Sequence, residues 1–416
     1  MFERLLSGHA VRSGVYVLEL GGEDDAFARR EAATAATGVD EFAVGLATAD
    51  AVVRERVRGL AYTRRANELV GTTEASIPAA RALLDAAPLA REGTVAVRAR
   101  DVRGGTGVST SDAERELGGV LVDRGYDVDL DDPDHVLRVA FAPYNEALRA
   151  SGSRAGKARE TDVDPERGDA PETPQQGGAG ACAVGWEVAA SVRDFGDRKP
   201  TDRPFFQPGS MDPLLARAVA NLAGARPGAT ILDPMCGTGG VLVEAGLVGA
   251  DVLGVDAQAK MARGARENLA AFLESTDDTP AADGDPPAAN GDEPAANGDE
   301  PAANGLPEPG DWATMRGDAT RLALRADAAT GVVFDAPYGR QSKIETHTLA
   351  DLVAGALAES RRVADRCVLV ADRDWREQAT AAGWTVDAAF QRRVHASLDR
   401  YVLVLDDDGG IDARAV

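Results

Sequence analysis

The sequence predicts an α/β protein in two parts, an N-terminal α+β region followed by a parallel, doubly wound sheet. Three observations predict it. Between residues 200 and 406 short apolar runs alternate with amphipathic helix patterns, which implies parallel strands joined by crossover helices. Residues 1–150 read as α+β, with strands set around a capped helix. Two further stretches hold scarcely any large apolar residue and punctuate these halves. A length of 416 residues suits two to three domains.

In chain order, residues 1–45 form an α+β segment leading into a module at 45–145. There Thr94 to Val102 alternates Val95, Val97 and Ala99 against Arg98 and Arg100, the mark of a half-buried strand. Ser111-Asp112-Ala113-Glu114 reads as a capping box. It opens a helix that buries Leu117, Val120 and Leu121 and stops at Gly125. Tyr126 to Leu130 and His135 to Phe141 alternate as strands. Residues 151–180 are rich in Gly, Pro, Ser and charge and read as a disordered linker.

The second domain is expected at 185–406. Asp212 caps a helix with Pro213 at its first position, and Leu215, Ala218, Val219 and Leu222 form its apolar face. Strands are expected at about 229–233, 251–256, 331–335, 367–371, 384–390 and 399–406, with a short one near 314–318. The longer helices are expected at 239–248, 258–273 and 347–364. Residues 275–310 interrupt this pattern with a repeat, Pro-Ala-Ala-Asn-Gly-Asp-Glu, beginning at Pro287 and Pro294. Nine acidic residues, no basic one and no apolar seam exclude a coiled coil and give an acidic, disordered insert.

The net charge is −23, and lysine occurs only at Lys157, Lys199, Lys260 and Lys343. Such an acidic, Lys-poor, Ala/Gly-rich chain suits a high-salt cytoplasm and a halophilic source. Acidity alone argues against a polyanionic partner. In molar salt, however, the Debye length is only about 3 Å, so local contacts decide. Cys182, Cys236 and Cys367 are scattered and suggest neither a disulfide framework nor a metal site. Cys236 reads as a small packing residue. His9, His135, His347 and His395 are equally scattered, so no metal is expected. There is no apolar run of about 18 residues and no signal-peptide pattern, so a cytoplasmic protein with no membrane role is expected.

Two motifs carry chemistry. The first, Ile231 to Gly240, is an apolar strand running into an acidic, glycine-rich turn that opens a helix. In a doubly wound sheet, ligands bind outside the carboxyl ends of the strands. Gly237 and Gly239 permit a tight turn and a close backbone approach. Asp233 suits a ligand's ammonium, Asp256 at the end of the next strand suits a ribose diol, and Asp318 after the third suits an adenine amine. Three acids at three strand ends fit a cationic adenosyl ligand better than a phosphorylated one. The turn is neither G-x-G-x-x-G nor a P-loop.

The second motif is Asp335-Ala336-Pro337-Tyr338, at the end of the strand Val332-Val333-Phe334. An exocyclic base amine is a poor nucleophile because its lone pair is delocalised. Accepting hydrogen bonds from its N–H groups favours an electron-rich nitrogen in the transition state. The Asp335 carboxylate and the Ala336 carbonyl can accept them, Pro337 restrains Ala336, and Tyr338 offers a face for the base. A paired base is out of reach, so the target must be extruded or unstacked.

These motifs, with the run Arg203 to Ala223 and the Gly317-Asp318 turn, resemble the archaeal THUMP-containing tRNA guanosine N2-methyltransferases that dimethylate guanosine 10. Residues 45–145 resemble the THUMP module, which binds RNA. The resemblance implies a class I, Rossmann-like methyltransferase domain using S-adenosylmethionine. It assigns Asp233, Gly237, Gly239, Asp256 and Asp318 to the cofactor. Asp335, Ala336, Pro337 and Tyr338 fall to the substrate amine. The partner it implies is tRNA rather than DNA, on a monomer with room for a small activator subunit. The family's loop is usually Asp-Pro-Pro-Tyr, and Ala336 departs from it.

Three basic islands suit phosphate: Arg54, Arg58 and Arg65, which would share a helical face; Arg98, Arg100 and Arg103; and Arg193, Arg198, Lys199 and Arg203 before the second domain. An rRNA guanine-N2 or adenine-N6 methyltransferase would use the same loop. A non-catalytic RNA-binding protein with a degenerate fold is the reading from another class.

Overall fold

β-branched and alanine-rich runs pair into two separate sheets. The computed structural model describes residues 12–144, 180–274, 305–337, 348–395 and 398–407. The chain divides into two compact units, residues 1–191 and 192–416.

Along the first unit run β1 (Arg12–Leu20), α1 (Asp25–Ala32), β2 (Ala36–Thr37), β3 (Asp40–Ala43), β4 (Leu46–Val52), α2 (Arg54–Arg58), β5 (Thr63–Glu74), α3 (Ile77–Ala86), β6 (Thr94–Asp101), α4 (Thr110–Asp123), β7 (Asp127–Val128), β8 (His135–Pro143) and β9 (Gly180–Ala190). They form one sheet in the order β2-β4-β1-β5-β9-β8-β6-β7, with β3 on β4. Leu117, Val120 and Leu121 of α4 pack on Val95, Leu137, Phe141 and Trp186.

Three expectations change here. β9 lies between β5 and β8, antiparallel to both, so the boundary expected at 185 falls at 192. Its run Gly180 to Trp186 is buried on both faces, which is why alternation did not mark it as a strand of this sheet. The N-cap of α4 is Ser109, accepting from the Asp112 N–H. Glu114 instead accepts from the Ala99 N–H at 2.8 Å and ties the helix to β6. α2 ends at Arg58, with Gly59 as its C-cap, while Arg65 lies on β5, so Arg54, Arg58 and Arg65 share no helical face.

The second unit contains α5 (Pro213–Leu222), β10 (Thr230–Asp233), α6 (Gly240–Leu247), β11 (Asp251–Asp256), α7 (Ala259–Leu273), β12 (Trp312–Arg316), β13 (Gly331–Asp335), α8 (Leu349–Val363), β14 (Arg366–Ala371), α9 (Arg376–Ala381), β15 (Thr385–His395) and β16 (Leu398–Asp406). The sheet order is β12-β11-β10-β13-β14-β16-β15, the class I methyltransferase arrangement. The sheet is not wholly parallel. β12 to β14 are parallel, but β16 runs antiparallel to both β14 and β15, because β15 and β16 form a hairpin. Chain direction across the sheet reverses between β10 and β13, so the loops after these neighbouring strands border the switch point.

Alternation on β13 puts Val332 and Phe334 under α8, against Val353 and Leu357. α6 is buried along its whole length, packed against α5, α7, β10 and β11. Residues 305–310, expected within the insert, belong to the fold: Leu306 is buried and Pro307 approaches Gly249. The remainder of the insert, 275–304, lies outside the described residues, as do linker residues 151–179.

Around Glu244 of α6 sits a buried ionic network. Glu244 Oε1 accepts from Arg198 Nε at 2.8 Å, and Arg217 Nη2 lies 2.8 Å from Glu244 Oε2. Removing one partner of a buried pair leaves an uncompensated charge. Glu244→Ala is therefore expected to lower stability by about 3–5 kcal/mol, read as a fall in the urea midpoint of the transition that reports Trp375 and Trp384. A midpoint unchanged from the parent would remove the network from the fold's essential contacts.

Candidate active site

The acidic turn expected from the sequence sits where the sheet switches direction. Asp233, the last residue of β10, is 3 % exposed, and its Oδ1 accepts from the Met235 N–H at 2.9 Å. Burial pushes its carboxyl well above the ordinary carboxylate range, and the charges of Asp256 and Asp335 push it the same way. Asp256, the last residue of β11, is likewise raised by burial. Its Oδ2 accepts from the Gly237 N–H at 3.0 Å and its Oδ1 from the Gln258 N–H at 2.8 Å. A single carboxylate thus fastens the turn after β10 to the turn after β11. Gly237 and Gly239 have φ of 52° and 76°, left-handed values that a side chain would strain.

Asp335 closes β13 beside them. Its Oδ2 lies 3.9 Å from Nη2 of Arg400, a buried residue of β16. Ala336 is buried, and its N–H donates to the Val370 carbonyl at 2.8 Å. A proline at 336 could not make this bond, so a backbone hydrogen bond supplies the restraint that a second ring would give. Pro337 is half-buried, and Tyr338 lies outside the described residues.

Asp318 is exposed, two residues beyond β12. Its Oδ1 accepts from the Thr320 N–H at 2.9 Å and the Thr320 hydroxyl at 2.8 Å, which shapes its own turn. The preceding Gly317 N–H donates to the Asp256 carbonyl at 3.0 Å and holds this loop against the end of β11. The structure therefore gathers Asp233, Asp256 and Asp335 and places Asp318 at the margin. Cys236 is buried, and burial raises its thiol well above the usual range, which suits packing. No group of three or more metal-ligating side chains is placed to hold an ion among the described residues.

Residues 200–401 match the family model of the RMKL-like, methyltransferase domain (UPF0020). A curated tRNA (guanine(10)-N2)-dimethyltransferase of Methanothermobacter thermautotrophicus is 54% identical over 79 residues, 19% of this chain and 24% of that protein. The protein of the same name from Pyrococcus abyssi is 29% identical over 219 residues, 51% of this chain and 55% of that one. The chain thus spans about half or less of the length of these two relatives. Among solved structures, TrmN from Thermus thermophilus aligns with a TM-score of 0.43 at 19% identity, covering 94% of this chain and 99% of that one.

Of the first-unit arginines expected to meet RNA, three are engaged by carboxylates. Arg65 pairs with Glu187 at 2.9 Å, Arg100 with Glu19 at 3.4 Å, and Arg103 with Asp25. Arg98 donates to the Leu130 carbonyl at 2.5 Å. Arg54 and Arg58 are half-buried at the two ends of α2.

Two residues that sequence reasoning missed support the site. Arg400 carried one signal, a charge opening an apolar strand. Asn268 carried none. Its fully buried amide donates to the Thr238 carbonyl at 2.8 Å and the Phe205 carbonyl at 2.9 Å, and accepts from the Phe205 N–H at 2.9 Å. It clamps the glycine turn to the segment before α5. Asn268→Ala leaves these buried groups unpaired, each costing about 1–3 kcal/mol. Affinity for an adenosyl ligand is expected to fall about tenfold or more by calorimetry, with the near-ultraviolet spectrum kept. Unchanged affinity would show that the clamp does not set the turn.

Proposed function

We propose that this chain moves methyl groups from S-adenosylmethionine to the exocyclic N2 of guanosine in tRNA, at position 10, once and then again on the same nitrogen. The observation that carries the proposal is the convergence of Asp233, Asp256 and Asp335 at the carboxyl ends of three neighbouring strands. Like charges gathered around the buried Asp233 repel it unless a cation joins them. A ligand with an ammonium and a sulfonium satisfies that need. The left-handed Gly237 leaves backbone open to it, while Gly239 lets Ala265 of α7 pack closely behind the turn. Names of the relatives supply the base, the nitrogen and the tRNA position.

The cofactor, when bound, supplies an electrophilic methyl carbon on sulfur. Asp233 and the turn from Met235 to Gly239 would hold its amino-acid end, and Asp256 its ribose. The substrate amine would donate to the Asp335 carboxylate and the Ala336 carbonyl. Held this way, the amine's lone pair would face the methyl carbon that the cofactor supplies, and Asp335 would take the nitrogen's proton. Arg400 keeps the Asp335 carboxylate oriented toward the amine. In the first unit a THUMP-type module, with Arg54 and Arg58 at the ends of α2, would grip tRNA phosphates. A high-salt cytoplasm suits the net charge of −23.

Asp335→Ala is expected to abolish single-turnover transfer to tRNA and to leave cofactor affinity within about threefold. Near-normal turnover would remove Asp335 from this role. A fragment beginning at residue 192, where the second unit starts, should bind S-adenosylmethionine normally and methylate tRNA very poorly. Equal efficiency of fragment and whole chain would refute the gripping role of the first unit.

A further inference from the structure

Arg203 lies just before the segment that Asn268 clamps, and its guanidinium rests against the first residue of α6. It is 5 % exposed. Its Nε donates to the Arg198 carbonyl at 3.1 Å, which fixes the plane of the group. Neither Nη1 nor Nη2 has a hydrogen-bond partner among the described residues. A Cβ on Gly240 would meet Nη1 at 2.4 Å and Cζ at 3.2 Å, so the guanidinium occupies the space that a side chain there would take.

The charge arrangement is unfavourable as it stands. Glu244 attracts Arg203, but its carboxylate is already shared by Arg198 and Arg217. Asp212, the N-cap of α5, acts more weakly, while Arg198 repels. The start of α6 adds positive potential, because its first N–H groups lack intrahelical acceptors. Its N-cap, Gly239, has no side chain to supply one. A buried cation beside a helix N-terminus is costly unless an anion meets both.

We infer that Arg203 and the N-terminal N–H groups of α6 form a subsite for the α-carboxylate of the cofactor's methionine portion. This rests on the adenosyl reading and deepens it. The glycine turn from Gly237 to Gly239 leads directly into this helix start, and Asp233 stands at the other end of the same turn. The two ends suit the two charges of an amino acid, the ammonium toward Asp233 and the carboxylate toward Arg203. A planar guanidinium with both terminal nitrogens available matches a carboxylate bidentately.

Calorimetric titration of the full chain with S-adenosylhomocysteine and with its decarboxylated amine tests the assignment. Arg203→Gln should weaken the first about ten- to hundredfold and the second by no more than about twofold. Arg203→Lys, which keeps the charge but loses the fork, should fall between parent and Arg203→Gln for S-adenosylhomocysteine alone. The amine serves as the control for folding. Equal losses for both ligands, or no loss for either, would overturn the carboxylate subsite while leaving the cofactor reading intact. Failure of the parent chain to bind either ligand would overturn both.

Discussion

A buried carboxylate at the end of β10, repelled by two half-buried ones at the ends of β11 and β13, is the constraint around which the second unit is built. Asp233 is almost wholly buried, and Asp256 and Asp335 raise its proton affinity further. Their placement requires strands that end side by side, which the switch between β10 and β13 supplies. Hydrogen bonds from Met235, Gly237 and Gln258 hold two of the carboxylates in place and offset part of the cost. A site that spends stability in this way is expected to recover it from a ligand.

The surroundings serve that arrangement. The Asn268 amide sets the glycine turn relative to the segment before α5. The ionic network of Arg198, Arg217 and Glu244 fixes the helix into which the turn leads. Ala336 is secured by the Val370 carbonyl, so the loop after β13 keeps its geometry without a second proline. Asn268 and the Val370 carbonyl act on backbone and the ionic network on the helix, so the site is preorganised by contacts outside any ligand.

Much of this was legible because the physics is local. Apolar runs ending in Asp gave β10, β11 and β13 almost to the residue, and the Asp212-Pro213 start of α5 holds as read. Asp233 and Asp256 were recognisable from spacing alone, whereas Asp318, read with them, lies exposed two residues beyond β12. What escaped depends on partners far along the chain. β9 is a uniformly buried run, and nothing local says that it inserts between β5 and β8. Asn268 and Arg400 matter through groups 30 to 65 positions away, and Arg198 and Arg203, read as part of a basic island for phosphate, are buried against α6 instead. Ser109 took the cap from Ser111 because Glu114 is engaged by β6 instead.

The carboxylate cluster makes one demand on thermodynamics. A raised carboxyl pKa means that the folded chain holds its proton more tightly than the unfolded one. That contribution to stability is complete below the ordinary carboxylate range and is lost as pH rises through the raised value. A cation entering the site favours the ionised forms, so a proton held by the raised carboxyls is released on binding. Calorimetric titration with S-adenosylmethionine at about pH 6, below the α-amino range of about 7.7–8.0, in two buffers of different ionisation enthalpy measures this directly. Net proton release is expected, and none with the uncharged 5′-methylthioadenosine. Heats that do not depend on the buffer, or equal release with the uncharged ligand, would contradict the claim that the buried carboxylates exist to receive a cation.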